Sequence, residues 1–436
     1  MLFRQPRFDP ILFKIKTYVF KDVTATSSGA GNLKLNFFTV HQTIKEAKAI
    51  PFETLANRIS GHQIIFLLSI IGYIILSFRH KSMLIGLPLI GLGFLAYSGG
   101  LRFTIYAVPP LALGIAYLVV EFSKFIKNKN FIPIPYQAYL VIFTIAILYP
   151  NITHAYKYTI PTMMNSTEVK TLDYVKSRAD REDYMVAWWD YGYHIRYFSD
   201  VKTLIDGGNS RGHYNYPVSF ILTNDQIRAA KMARLDVEYK EGYLKNRNYG
   251  SNLGNMMNDY GYKDSNKFLK SLSKDMKLPP KTRDIYFYLP YRMLGMYSVI
   301  SKFSNVNLMN PKDKKTEPRL IYIKSFKETK GNILLGKNIK ILKNSGQILI
   351  DKEILPINKM VQTSYLKGRL KTEVKTIDSK ANVNVIFMKD YQTFLIVDNS
   401  VYNSLFFQLF VLENYNKDLY EPVSLNSMVK IYKLKI

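Results

Sequence analysis

The chain has 436 residues and no cysteine, and its 60 Lys and Arg outweigh 33 Asp and Glu for a formal net charge of +27. The missing thiol excludes disulfides, thiolate metal sites and cysteine catalysis, and the histidines at 41, 62, 80, 154, 194 and 213 are too scattered for a HExxH zinc site. So basic a balance suits nucleic acid, an anionic membrane surface or a polyphosphate, and the distribution of apolar residues selects the membrane.

Residues 1–61 precede the apolar region and carry nine Lys and Arg. They open on Met1-Leu2-Phe3-Arg4-Gln5-Pro6, with neither the apolar stretch nor the cleavage site of a signal peptide. The expectation is an external loop that follows something upstream. Charged residues then vanish from Gly61 to Phe78, Ser82 to Leu101, Phe103 to Val120 and Asn130 to Tyr156. Runs of roughly 17–25 apolar residues match the ~30 Å hydrocarbon thickness of a bilayer, so residues 62–156 are predicted to form four transmembrane helices. The links at Arg79-His80-Lys81 and at Lys124, Lys127 and Lys129 are basic, whereas Ser98-Gly99-Gly100 is neutral. Short basic links stay in the cytoplasm. With an even number of spans, residues 1–61 and everything after Tyr156 share the outer face.

Beyond Tyr156 the composition changes: residues 157–436 hold 45 basic and 28 acidic residues, as a folded water-facing domain would. Residues 157–318 read as a mixed α/β core, with helical patterns at Val169–Ala179, Asn224–Glu238 and Tyr286–Phe303. Residues 319–390 read as a β-rich insert, with short runs at 320–324, 332–336, 347–350 and 383–387 separated by Gly, Asn and Lys turns. Residues 391–436 supply a helix near Leu405–Asn416 and a closing strand at Met428–Ile436 that complete the core. The predicted fold class is a multi-pass α-helical membrane segment followed by a mixed α/β domain with a small β-rich insert.

The chemistry concentrates at Trp188-Trp189-Asp190-Tyr191-Gly192, directly after the apolar run Met185-Val-Ala187 and holding both tryptophans of the chain. Taken alone, two adjacent indoles before a carboxylate read equally as a core aromatic pair with a capping Asp. The functional alternative is a rigid wall beside one acceptor oxygen, a site that selects a substrate hydroxyl. A GxGxxA-like stretch, Gly91-Leu-Gly93-Phe-Leu-Ala96, lies inside a spanning run with no strand before it, so neither a dinucleotide nor a nucleic-acid partner is expected.

These five residues resemble the WWDYG signature of the oligosaccharyltransferase catalytic subunit. The stretches Arg196–Gly208, Arg58-Ile-Ser-Gly61 and Gly100-Leu-Arg-Phe-Thr-Ile-Tyr106 are similar to the bacterial single-subunit (PglB) type, and the resemblance runs over the whole chain. It implies transfer of an oligosaccharide from a polyprenyl diphosphate carrier to the Asn of (Asp/Glu)-X-Asn-X-Ser/Thr in acceptor polypeptides, at the bacterial inner membrane with the C-terminal domain in the periplasm. Trp188, Trp189 and Asp190, with Tyr191 and Gly192, are then the pocket for the Ser/Thr hydroxyl. Met293, Met296 and Ile300 match the family's supporting MxxIxxx(I/V/W) element, with Met296 where Ile is usual. Without the resemblance, the same three residues read as an ordinary core stripe.

Thr43-Ile44-Lys45-Glu46 matches the family's TIxE element. Glu46 becomes a ligand of Mg²⁺ or Mn²⁺ and a contact of the acceptor amide, and Thr43 belongs with the acceptor site. Arg58 falls where bacterial members meet the acidic residue two before the acceptor Asn, and Arg102 where they hold the lipid diphosphate. Relatives carry a His where this chain has Ser210, with His213 three residues on. The family's other catalytic carboxylates lie in an N-terminal half, and there is no Asp or Glu between Glu53 and Glu121. The expectation is the C-terminal part of such an enzyme, with the N-terminal transmembrane half of the family fold either absent or separately encoded. The alternative is an inactive, membrane-anchored peptide-binding fragment.

Overall fold

The computed structural model describes residues 24–28, 33–39, 43, 49–129, 134–246, 252–310, 312–313 and 316–436. These form two compact units, one of the described residues within 40–163 and the other of those within 24–39 and 164–436.

The first unit is helical. The helix Phe52–Ser60 leads, across a 69° bend, into Gln63–Arg79. The segments Lys81–Gly99, Leu101–Asn128 and Tyr136–Lys157 are each long and apolar enough to cross a bilayer, and the bent pair makes a fourth if it counts as one span. The first expected span, Gly61–Phe78, matches the helix Gln63–Arg79, and the preceding helix Phe52–Ser60 ends where Gly61 takes a left-handed φ of 71°. Large apolar side chains face outward, among them Ile64, Phe78, Ile85, Ile105 and Ile145. Gln63–Arg79 packs against Thr104–Asn128 through facing glycines: a Cβ on Gly72 would strike the Gly114 carbonyl, and one on Gly114 the Ser69 carbonyl. Small residues at a helix crossing allow this backbone approach. At the far end Arg79 pairs with Glu121 at 2.7 Å, and Lys124 with the same carboxylate at 3.0 Å. The two basic links therefore lie at one end of the bundle.

The second unit begins with a hairpin, β1 (Thr24–Ser28) and β2 (Lys34–Phe38). Both fall in the stretch expected as an external loop, and the β2 alternation buries Leu35 and Phe37 in this unit. The core sheet holds β3 (Tyr184–Val186), β4 (Lys202–Thr203) and β5 (Ile285–Pro290). All nine residues of β3 and β5 are buried, as strands covered on both faces are. The Tyr286–Phe303 pattern, expected as one helix, is instead β5, a 3₁₀ turn at Tyr291–Met296 and the helix Tyr297–Ser304. A fully apolar run carries no period that separates strand from helix.

The β-rich part contains β6 (Leu320–Ile323), β7 (Phe326–Thr329), β8 (Asn332–Leu335), β9 (Ile339–Leu342), β10 (Gln347–Ile350), β11 (Glu353–Leu366), β12 (Arg369–Thr376), β13 (Val383–Met388) and β14 (Thr393–Asp398). These nine strands form one sheet in the order β6-β14-β13-β11-β10-β9-β8-β7, with β12 also on β11. The long β11 pairs β10 with its first half and both β12 and β13 with its second, so the sheet turns on it. The turn encloses an apolar cluster that includes Ile333, Ile341, Ile348, Val385 and Ile396. Strand β14 lies between β13 and β6, so the β-rich part runs past the boundary drawn at residue 390. The helix expected over Leu405–Asn416 shrinks to a short segment with π geometry at Phe407–Val411. Finally β15 (Tyr420–Leu425) and β16 (Val429–Leu434) complete the core sheet in the order β15-β16-β5-β3-β4.

Candidate functional site

Strand β3 runs parallel to β5, with Val186 opposite Phe287. The Trp188–Asp190 segment leaves the C-terminal end of β3, and the Tyr291–Met296 turn leaves the C-terminal end of β5. Two stretches a hundred residues apart thus reach one sheet edge, the edge at which crevices form in sheets of parallel strands. Met293 and Ile300 are fully buried and Met296 half-buried. The Tyr297–Ser304 helix is fastened from behind: Ser219 Oγ donates to the Ile300 carbonyl at 2.6 Å, and Thr223 and Ser304 share a hydroxyl hydrogen bond of 2.8 Å.

Within the signature the five residues divide their work. Trp188 is 1% exposed and meets the Phe303 ring edge-on at 5.1 Å. Tyr191 is buried with its ring 5.5 Å from Tyr288. These two anchor the turn. Gly192 is required by its neighbour, since a Cβ there would stand 2.6 Å from both the Asp206 Cα and the Ile205 carbonyl oxygen. That loop is held in turn by Asp206, which accepts from the Gly208 and Asn209 backbone N–H groups at 2.9 Å and pairs with Arg196 at 3.1 Å.

Trp189 and Asp190, between the anchors, are half-buried. Among the described residues the Trp189 indole N–H has no hydrogen-bond partner. Burial pushes the Asp190 carboxyl up to about 6, offset only in part by its own backbone N–H. A buried donor without a partner costs about 1–3 kcal/mol. Phe38 of β2 meets Phe303 at 5.0 Å and Phe37 meets Tyr216 at 5.9 Å. These supports were missed from sequence, and the alternation in Lys34–Phe38 was the available signal.

Three more of the expected site residues, Arg58, Arg102 and Thr43, lie in the helical unit. Arg58 is in the last turn of Phe52–Ser60, its guanidinium 3.7 Å from the centroid of the Tyr158 ring. Arg102 is exposed in the 3₁₀ turn Leu101–Phe103. Thr43 is half-buried in a turn, and Glu46 lies outside the described residues. Among the described residues no three His, Asp or Glu gather as a metal site. Mg²⁺ and Mn²⁺ take about six oxygen ligands, so the described residues do not by themselves fit the ion.

Comparison with known proteins agrees with this layout. The STT3/PglB/AglB core domain matches residues 181–310, and the STT3/PglB C-terminal beta-barrel domain matches residues 320–397. Undecaprenyl-diphosphooligosaccharide–protein glycotransferases from two strains of Campylobacter jejuni are 40% identical over 98% of this chain. The chain spans 61% of the length of these relatives. The crystal structure of the C. jejuni PglB C-terminal domain is similar at a TM-score of 0.56 and 37% identity, over 62% of this chain and all of that one.

Proposed function

The chain belongs to the STT3/PglB/AglB family, and from that premise we propose that it is the acceptor-recognising part of an enzyme that moves an oligosaccharide from polyprenyl diphosphate to the Asn amide of (Asp/Glu)-X-Asn-X-Ser/Thr. The observation that carries the reading is two adjacent half-buried side chains at the sheet edge: Trp189, whose buried indole N–H has no partner among the described residues, and the Asp190 carboxyl. The Ser/Thr hydroxyl donates to Asp190 and accepts from the indole, and this fixes the polypeptide two residues beyond its Asn. Arg58 meets the upstream acid as a fork meets a carboxylate. Arg102 clamps the diphosphate, for which a guanidinium is well shaped.

Glu46 takes hydrogen bonds from the acceptor amide. An amide nitrogen is a poor nucleophile because its lone pair is delocalised into the carbonyl, and carboxylates that bind both its protons weaken that delocalisation. Glu46 also serves this reading as one ligand of Mg²⁺ or Mn²⁺, with the remaining ligands supplied from outside the described residues. In this reading the helical unit lies in the bacterial inner membrane and the second unit in the periplasm. The outward apolar side chains and the basic links at one end of the bundle support it.

The test is binding of fluorescent Asp-X-Asn-X-Thr to the detergent-extracted chain. Replacing Thr by Val should weaken binding at least tenfold in the unaltered protein and not at all in Asp190→Ala. An equal loss in both proteins would sink the hydroxyl pocket. That no three His, Asp or Glu gather as a metal site among the described residues favours a second reading, a peptide-binding fragment without turnover. A transfer assay with lipid-linked glycan, with and without the N-terminal half of a relative, separates the two.

A further inference from the structure

In the helical unit, the end of the Phe52–Ser60 helix is seated directly on the Tyr136–Lys157 helix. A Cβ on Gly61 would stand 2.7 Å from the Asn151 Cα and 2.8 Å from its backbone N, and Gly61 has the positive φ of 71° that favours glycine. Asn151 in turn donates to the Ile147 carbonyl at 3.0 Å. Seven residues past Asn151, the Tyr136–Lys157 helix ends on Tyr158, which lies beneath Arg58 with the guanidinium carbon 3.7 Å from the ring centroid. Tyr158 is 49% exposed, so core packing does not account for its place. Among the described residues no carboxylate comes within ion-pair distance of Arg58.

A guanidinium lying flat on an aromatic face keeps its N–H donors in its own plane, directed past the ring edge. Without the ring, the same long side chain samples many rotamers and meets a carboxylate only part of the time. We propose that Tyr158 is the positioning residue for Arg58: it stacks the guanidinium and turns its N–H edge toward the acidic side chain two residues before the acceptor Asn. This rests on the reading of Arg58 given above, and it makes Tyr158 a determinant of the enzyme's preference for acidic acceptor sequences.

The experiment measures binding of fluorescent Asp-X-Asn-X-Thr and Gln-X-Asn-X-Thr to the full chain in detergent, with the Asp preference as the readout. Arg58→Ala should abolish the preference. Tyr158→Leu should reduce it by about two- to fivefold, the size of a surface cation–π contact, with Gln-peptide affinity unchanged. Tyr158→Phe should retain it, since a phenyl face also stacks guanidinium. Unchanged Gln-peptide binding shows that the variants are folded. If Arg58→Ala abolishes the preference while Tyr158→Leu keeps it in full, the stacking role is overturned and the Arg58 reading survives. If Arg58→Ala leaves the preference intact, or the unaltered chain has none, both fall together.

Discussion

At the residue scale, the site divides between side chains that hold and side chains that offer. Trp188 and Tyr191 are spent on packing against Phe303 and Tyr288, while Trp189 and Asp190 are only half-buried. The raised Asp190 pKa gives this a pH signature. The carboxyl is pushed from 3.8 to about 6 because burial disfavours its charge, so the free protein holds the charged acceptor above about pH 6 and loses it below. Affinity for a Thr-containing sequon peptide should fall as pH drops through 6. Asp190→Asn should flatten that dependence, as measured by anisotropy across pH 5–8. Hydroxyl donation favours the charged form, so the apparent pKa should move down when peptide is bound. In the proposed enzyme, Asp190→Ala should chiefly raise the peptide KM and Glu46→Ala should chiefly lower kcat. Equal losses of kcat in both, with KM untouched, would refute that division.

At the element scale, two close backbone approaches set what can change. The turn after Asp190 passes so near the Ile205–Asp206 loop that Gly192→Ala must push one of them aside, a strain of about 1–3 kcal/mol. The expected outcome is a lower melting temperature and weaker sequon binding together. Loss of binding without loss of stability would mean that the loop gives way locally. In the helical unit Gly114→Leu should separate the Gln63–Arg79 and Thr104–Asn128 helices, because Gly72 and Ser69 meet Gly114 backbone to backbone. Weaker thermal resistance in detergent, with peptide affinity of the second unit retained, would place the damage in the bundle alone.

At the scale of the whole molecule, the issue is which side each part faces. The periplasmic reading requires four crossings, so the bent pair Phe52–Ser60 and Gln63–Arg79 has to act as one span. Because the chain has no cysteine, any introduced thiol is the sole target of a maleimide. In intact cells a membrane-impermeant maleimide should label Ser98→Cys and Ser379→Cys and should reach Ser82→Cys only after permeabilisation. Labelling of Ser82→Cys from outside would invert the topology.

Read by itself, the sequence determined the apolar runs, the basic links and the five-residue signature, because each is a local pattern of adjacency or run length. The strands at 320–323, 332–335, 347–350 and 383–388 were legible for the same reason, as short β runs between turns. Only the tertiary structure decided that Ile285–Pro290 is a central strand, since its neighbours β3 and β16 are contributed by residues a hundred or more positions away. It also decided that Thr393–Asp398 belongs to the β-rich sheet and that Phe37 and Phe38 pack onto the core. The stacking of Tyr158 on Arg58, across a hundred residues of chain, leaves no trace in any window of sequence. Long-range pairing is chosen by which buried faces and ladders fit together in space, and that is a property of the folded chain alone.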